Sequence, residues 1–185
     1  FAVTHIGAAA AAVAWMLVEC VAKGKPSLLG IASGAIAGLV AITPASGFVT
    51  IPSAVLIGLA GGLACYFAVT RLKAAFAYDD SLDVFGVHCV GSIVGMCLVG
   101  WLASPEVNPA IATTFRVDGQ VVSLAGGAGQ FVNQVQAVLF TAVLAAGVTF
   151  ALLKAIDALI GLRVDAEQEH AGLDISEHGE SAYNH

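Results

Sequence analysis

The amino-acid sequence predicts an all-α membrane protein, a polytopic transmembrane helix bundle. Its 185 residues are 58% hydrophobic and 11% charged, with a mean hydropathy of +0.90, whereas soluble domains carry roughly 25% charged residues. The apolar residues form long runs, and a spanning helix needs about 20 of them. The alternation of apolar and polar residues that is typical of a membrane β-barrel is missing from the sequence.

Five apolar segments predict one spanning helix each, at about residues 2–22, 27–43, 51–77, 82–103 and 131–161. They form a transmembrane domain of residues 1–162, which a polar and acidic tail of residues 163–185 follows. Pro26 and Ser27 favour a helix start, and Ser81 is a candidate N-cap of the fourth helix. The fourth and fifth helices are joined by a long loop, a length that usually indicates function or disorder.

Positive charges predict the orientation of the chain in the membrane. Cytoplasmic loops carry an excess of Lys and Arg. In a five-pass chain, six of the seven Lys and Arg residues fall on one side of the membrane and only Arg116 falls on the other. We therefore predict that the side with six cations is cytoplasmic and includes the tail, and that the first residue faces outward. The six cations on the predicted cytoplasmic side are Lys23, Lys25, Arg71, Lys73, Lys154 and Arg163.

Composition and missing motifs exclude several functions. Seven Lys and Arg against 13 Asp and Glu argue against nucleic-acid binding. Neither a P-loop, a GxSxG nor an HExxH motif occurs in the sequence, and we expect no enzyme activity and no cofactor. The histidines of the tail lack metal-ligand spacing, so we expect no metal site. The four cysteines stand singly in apolar runs, which is typical of packing residues.

The first residues have neither a Met nor a basic region nor a cleavage site, so they do not resemble a signal peptide. Because the apolar run starts at once, we expect a fragment that lacks upstream helices. Small residues recur at Gly30, Gly34 and Gly38, and again at Gly91 and Gly95. This spacing lets helix backbones approach closely in lipid, and it fits either ordinary packing or a narrow path between helices.

His88 is the most informative single residue of the sequence. It lies among apolar and small residues of the fourth segment, and an ionisable residue at membrane depth is a functional candidate. A neutral imidazole has one N–H donor and one acceptor, so it suits the passage of a small hydrogen-bonding solute or of a proton. The alternative is a buried histidine bonded to a carbonyl of a neighbouring helix.

Carboxylates precede His88 near the predicted cytoplasmic end of its helix. Asp79 and Asp80 suit the positive end of a helix dipole. Asp83 is deeper and could instead line a vestibule for cations. Thr43 comes directly before Pro44, where a helix break frees a carbonyl group, and such backbone is tolerated at membrane depth only when it is buried or lines a cavity.

Three stretches of the chain resemble the ammonium transporter (Amt) family. The first runs from Gly24-Lys25-Pro26-Ser27 through Ser33-Gly34 to Thr43-Pro44-Ala45, and the second is Asp83-Val84-Phe85-Gly86-Val87-His88. The third lies in the tail and includes Glu167-Gln168-Glu169, Gly172-Leu173-Asp174 and His178-Gly179-Glu180-Ser181-Ala182-Tyr183. The tail is more similar to the bacterial, plant and archaeal branch than to the Rhesus branch.

The resemblance implies the last five of eleven helices in a homotrimer with one pore per subunit, in the inner or plasma membrane of the cell. His88 would be the second of two pore histidines, with Thr43 near mid-pore and Val84 at the cytoplasmic constriction. Asp83 and Ser33 would line the cytoplasmic vestibule. The tail would contact a P-II-type nitrogen-regulatory protein or a neighbouring subunit through a set of regulatory residues: Gly172, Asp174, Ser176, His178, Gly179 and Tyr183.

These residues lead to a transporter hypothesis and a rival. In the first, ammonium is recruited outside, loses a proton, and crosses as ammonia past the histidines, with methylammonium as an analogue. In the second, the same fold serves as an ammonium sensor that signals through its C-terminal tail. A purely structural subunit would explain neither His88 nor the acidic cluster before it.

Overall fold

The computed structural model describes residues 1–112, 115–117 and 120–181. Among these residues, five helices are long and apolar enough to cross a membrane, which confirms the predicted fold class. The five spans are Ala2–Lys23, Leu28–Ala45, Ile51–Phe76, Phe85–Leu102 and Ala128–Ile160.

Three of the five spans change helix type along their length. The second span ends in a 3-10 turn (Thr43–Ala45), and the third and fourth each contain a π-helical segment, Ala68–Leu72 and Phe85–Cys89. The α-helices are α1 (Ala2–Lys23), α2 (Leu28–Ile42), α3 (Ile51–Phe67), α4 (Lys73–Phe76), α5 (Val90–Leu102), α6 (Ala128–Ile160), α7 (Ala166–Ala171) and α8 (Leu173–Ser176). We call Phe85–Cys89 together with α5 the His88 helix.

The chain forms two compact units, Phe1–Leu139 and Phe140–His185, and the division falls within α6. In the first unit, α1, α2 and α3 pack on one another, and α5 packs on α2 and α3. The buried core of this unit includes Trp15, Ile42 and Ile57. In the second unit, α7 and α8 of the tail pack together.

Glycines on α2 let α1 approach closely, as the spacing of small residues in this helix predicts. A Cβ atom at Gly34 would lie 2.6 Å from the Cβ of Trp15, and one at Gly38 would lie 2.6 Å from the Cβ of Ala11. Both distances are shorter than van der Waals contact allows. Close packing of α1 on α2 therefore requires glycine at these positions.

Two helix starts follow the local sequence. Ser27 caps α2, because its hydroxyl accepts a hydrogen bond from the backbone N–H of Gly30 at 3.0 Å. Thr50 accepts from the N–H of Ser53 at the start of α3, where Pro52 occupies the first turn. Both starts combine a hydroxyl cap with a proline before or just inside the helix.

The start of the fourth span differs from the prediction in position and in cap. The span begins at Phe85, three residues later than the predicted residue 82. Ser81 is not the cap, because its hydroxyl donates to Oδ1 of Asp79 at 3.3 Å. The carboxylate of Asp80 accepts the first backbone N–H groups instead. A carboxylate has two oxygens and so can accept from several N–H groups at once.

The loop after α5 contains structure that the sequence does not predict. Phe115–Val117 and Gln120–Val122 form a two-stranded antiparallel hairpin in which Arg116 pairs with Val121. A 3-10 turn, Pro109–Ala112, precedes it. Residues 113, 114, 118 and 119 lie outside the described residues. Each strand has only three residues, which is too short for a recognisable alternation of apolar and polar positions.

Candidate functional site

His88 lies in the π-helical segment Phe85–Cys89, and its side chain is exposed on the described chain. The two residues on either side of it differ, because Val87 is buried in the core and Cys89 is exposed. Within the part of the chain that the structure describes, no hydrogen bond to the imidazole of His88 is formed. The alternative of a histidine satisfied by a neighbouring helix carbonyl therefore finds no support among these residues.

Val84 shares one side of the helix with His88. It lies four residues earlier, close to one turn of the helix, and 52% of its surface is exposed. Side chains separated by about one turn lie on the same face. The described chain thus presents an apolar side chain and an imidazole one above the other on an uncovered surface.

Thr43 lies at the end of α2, where the α-helix changes into the 3-10 turn. Its hydroxyl donates to the carbonyl oxygen of Leu39 at 2.6 Å, and its own carbonyl accepts from the N–H of Ser46 at 3.4 Å. The side chain is exposed. Pro44 therefore tightens the helix end rather than leaving the carbonyl of Thr43 free, since the 3-10 turn pairs it.

The 3-10 turn also borders an apolar cavity. The cavity has a volume of about 350 Å³, and Pro44, Phe48 and Met96 contribute to its lining. Its polar lining comes from Gln130 and Gln134, which lie one turn apart near the start of α6. Thr43 itself does not line the cavity.

Asp83 lies at the junction between the third and fourth spans and forms an ion pair. Its Oδ1 atom accepts from Nζ of Lys73 at 2.7 Å. Its backbone has a φ of 55°, in the left-handed region that few non-glycine residues adopt, although Asp tolerates it better than most. The backbone carbonyl of Asp83 accepts from the N–H of Val87 at 2.9 Å.

Asp80 caps the His88 helix. Its carboxylate accepts from the backbone N–H groups of Val84 at 2.7 Å, Phe85 at 2.9 Å and Gly86 at 3.4 Å. The first N–H groups of a helix have no partner within the helix, and a negative charge at this end interacts favourably with the helix dipole. Asp80 therefore has the dipole role that the sequence predicts for it, made more specific by three hydrogen bonds.

Ser33 lies on α2, directly before the buried Gly34. The structure describes contact between α2 and the π segment of the His88 helix, without a hydrogen bond between Ser33 and Asp83. The side chains of Thr43, Val84 and His88 likewise lie on packed elements but form no hydrogen bonds with one another. In the described chain, the predicted site residues thus lie on elements that pack together, but their side chains do not form hydrogen bonds with one another.

The two π segments pack against each other at Gly86. A Cβ atom at this position would lie 2.7 Å from Cγ2 of Val69, in the π segment of the third span. A π segment contains an extra residue and occurs often at functional sites. Gly86, two residues before His88, therefore packs against the third span at a distance that leaves no room for a Cβ atom.

Tyr78 packs beside the same junction. Its ring lies edge-on against Phe85 with 5.4 Å between the ring centroids, and its hydroxyl is buried without a hydrogen-bond partner among the described residues. Burial raises the pKa of Tyr78, and the negative charge of Asp80 adds to this effect. The phenol therefore stays protonated near neutral pH and contributes packing rather than charge.

Glu19 is a buried carboxylate that the sequence motifs do not mark. Only 3% of its surface is exposed. It accepts from the backbone N–H of Ser27 at 3.0 Å and from the hydroxyl of the same residue, and it pairs with Nζ of Lys23 at 3.0 Å. The available signal was a lone carboxylate in an apolar run, four residues before a lysine. These contacts join α1 to the start of α2.

The tail contains local contacts of its own. Arg163 donates to Glu169 at 2.7 Å, and the hydroxyl of Ser176 donates to the carbonyl oxygen of Gln168 at 3.5 Å. Gly172 and Gly179 have positive φ angles of 99° and 67°, a conformation that glycine adopts readily.

The remaining regulatory residues of the prediction also lie in this segment. The backbone carbonyl of Asp174 accepts from the N–H of Glu180 at 2.9 Å, and His178 is exposed. Tyr183 lies outside the described residues. Within the described part of the tail and the rest of the chain, the structure has no group of three or more His, Cys, Asp or Glu residues that could hold a metal ion.

The fold and this site define a multi-pass membrane protein of bundled helices with an imidazole inside one spanning segment. A model of the Ammonium Transporter Family matches residues 1–183, and the chain belongs to that family.

Curated relatives support the assignment. The chain is 46% identical over 182 residues to the ammonium transporter Amt1 of Archaeoglobus fulgidus, an alignment that covers 98% of this chain and 43% of the relative. It is 43% identical over 180 residues to an ammonium transporter of Bacillus subtilis, with coverage of 97% and 43%. The chain therefore spans less than half the length of these relatives.

Solved structures show the same fold. The crystal structure of Saccharomyces cerevisiae Mep2 has a TM-score of 0.77 and 33% identity, covering 89% of this chain and 36% of Mep2. A structure titled Sensor Amt Protein has a TM-score of 0.80 and 26% identity, covering 95% of this chain and 40% of that protein. The helix bundle of this chain is thus the fold of the family.

Proposed function

We propose that this chain forms part of an ammonium transporter that recruits ammonium and conducts ammonia past His88. The single observation that carries the proposal is the family match over residues 1–183, and the exposed position of His88 in a spanning segment supports it. In this proposal Thr43 and Val84 line the pore. Ser33 and Asp83 line the cytoplasmic vestibule, where the charge of Lys73 partly offsets that of Asp83.

The physical reason for conducting the neutral molecule is the cost of a charge in the membrane. A charged group at the bilayer centre costs about 2.5–3.5 kcal/mol or more. Ammonium avoids most of this cost by releasing its proton, and the donor and acceptor of an imidazole can then replace hydrogen bonds that ammonia made with water. Potassium has no proton to release, so the same apolar path excludes it.

The same proposal includes an orientation in the inner or plasma membrane of the cell. Arg116 faces the outside, and the tail lies in the cytoplasm together with six cations near helix ends. The protein acts as a homotrimer and is not an enzyme. A P-II-type nitrogen-regulatory protein is the partner at the cytoplasmic face. It contacts six residues of the tail: Gly172, Asp174, Ser176, His178, Gly179 and Tyr183.

An ammonium sensor is the second candidate function. A solved structure titled Sensor Amt Protein shares the fold at a TM-score of 0.80. In a sensor the pore would bind ammonium without sustained flux, and the tail would transmit the bound state. Flux measurements separate a sensor from a transporter.

The decisive experiment measures uptake of radiolabelled methylammonium by the full-length protein in cells that lack their own ammonium transporters. His88→Ala is compared with wild type and with His5→Ala, a matched control on the exposed first turns of α1. We expect ammonium-competed uptake by wild type, a changed rate or selectivity in His88→Ala, and little change in His5→Ala.

Two results would contradict parts of this proposal. Wild-type flux and selectivity in His88→Ala would remove His88 from the pore. If a well-folded wild-type protein takes up no methylammonium or ammonium, the sensor becomes the better explanation.

A further inference from the structure

Lys73 connects the end of the third span to the start of the His88 helix. Its Nζ atom donates to the backbone carbonyl of Asp80 at 2.5 Å and to Oδ1 of Asp83 at 2.7 Å. The side chains of Lys73 and Asp83 are 29% and 32% exposed. Partly buried pairs are screened less by salt and water than fully exposed ones. One side chain thus holds two residues of the following loop.

Those two residues also begin the His88 helix. The carboxylate of Asp80 caps the N–H groups of Val84 and Phe85, and the carbonyl of Asp83 accepts from Val87. Asp83 has the uncommon φ of 55°, and such a conformation persists when the surroundings hold it. The charged amino group of Lys73 therefore contacts both Asp80, which caps the helix, and Asp83, which has the unusual backbone angle.

Two π segments flank these groups along the chain. An extra residue in a helix rotates the residues after it by about 100°, because each residue of an α-helix turns by that angle. The segment Ala68–Leu72 directly precedes Lys73, and the segment Phe85–Cys89 contains His88. Gly86 fixes the contact between the segments against Val69. Lys73 therefore directly follows one of the two segments that meet at this contact, and His88 lies in the other.

We propose that Lys73 is a positioning residue for His88, acting through Asp80 and Asp83 on the start of the His88 helix. The inference rests on the proposed function, since it assigns Lys73 a role in the selectivity of the His88 pore. Lys73 does not touch the conducted molecule in this account. The charged amino group of Lys73 instead keeps the His88 imidazole in the orientation in which ammonia passes it.

The test compares Lys73→Met, Lys73→Arg and the control Lys25→Met, an exposed lysine of the first connection, in the full-length protein. Two quantities are measured for each variant. The first is the ratio of methylammonium to ammonium transport, normalised to protein in the membrane. The second is hydrogen exchange of the backbone amides of residues 84–88 in purified protein.

We expect Lys73→Met to change the transport ratio by about fivefold, a typical coupling within one hydrogen-bonded network, and to speed exchange in residues 84–88. Lys73→Arg restores both quantities because it keeps the donor and the charge, and Lys25→Met changes neither. A Lys73→Met variant with the wild-type ratio and exchange overturns the proposal. So does uptake that falls only in proportion to the amount of protein, because that result indicates a stability role.

Failure of the proposed function is distinguishable from failure of this inference. If wild type transports neither substrate, the transporter proposal fails, and exchange in residues 84–88 alone decides whether Lys73 positions the segment. If Lys73→Met does not reach the membrane, Asp83→Gly replaces it, since glycine adopts the left-handed backbone readily and has no side-chain acceptor for Lys73. Because Asp83 itself lines the vestibule in the proposed function, only hydrogen exchange is compared for this variant, and wild-type exchange in residues 84–88 would equally overturn the inference.

Discussion

Single residues at this protein's helix junctions carry more hydrogen bonds than their sequence context indicates. Asp80 caps three backbone N–H groups, and Glu19 joins α1 to α2 through Ser27. The sequence marks Asp80 as a carboxylate near a helix end, whereas Glu19 is only a lone carboxylate in an apolar run. It does not identify their partners, because each partner lies across a turn whose geometry depends on how the two helices pack.

We expect Glu19→Ala to destabilise the protein by about 1–3 kcal/mol, the usual cost of leaving a buried polar group unpaired. The substitution removes the acceptor for the N–H of Ser27 and the partner of Lys23. Thermal unfolding of the full-length protein in detergent measures the effect. Glu106→Ala is the matched control, since Glu106 is exposed in the loop after α5. Equal midpoints for the two variants would mean that the Glu19 contacts contribute nothing to stability.

At the scale of the helices, the sequence predicts which segments span, while the structure determines their local geometry. The two π segments are the clearest example. Their residues continue the third and fourth spans without a proline or another local signal that predicts a π-helix. An extra residue in a turn is stabilised by side-chain packing between the two spans, as at Gly86 and Val69, so hydropathy cannot indicate it.

Close packing of α1 on α2 gives a prediction at this scale. Gly38→Val should destabilise the bundle by about 1–3 kcal/mol or more, the cost of overpacking a tight interface, because a Cβ atom would lie 2.6 Å from Ala11. Gly147→Val is the control, because nothing lies within 4 Å of a Cβ atom at that position in α6. The check is again thermal unfolding in detergent. A Gly38→Val protein as stable as Gly147→Val would show that α1 and α2 separate without cost.

For the whole molecule, the exposed position of the candidate pore residues has a functional consequence. Thr43, Val84 and His88 lie on surfaces that the described chain leaves uncovered, whereas a selective pore must enclose its path. The relatives are more than twice as long as the part that this chain matches. The remaining length in those proteins is enough to supply an enclosing wall.

We therefore expect that the 185-residue chain expressed alone conducts no ammonium. The measurement is methylammonium uptake in transporter-null cells, with membrane insertion of the chain verified separately and the full-length protein as the positive control. Ammonium-competed uptake by the inserted chain alone would contradict the expectation, and would mean that several copies of this chain enclose a path between them.

The sequence by itself determined the class of protein. Its apolar composition predicted five spanning helices, and the residues around Thr43 and His88 resembled the family to which the chain belongs. These properties are local: they depend on hydropathy over about 20 residues and on short motifs.

Only the tertiary structure decided how the His88 helix packs on the third span and which contacts form at its start. The contact of Gly86 with Val69 joins the fourth span to the third, and Lys73 near the end of the third span pairs with Asp83 just before the fourth. Each depends on the distance and rotation between helices, which in turn result from packing of glycines and small side chains along the bundle. Such distances result from many contacts between residues that are far apart in the sequence, so no local pattern specifies them.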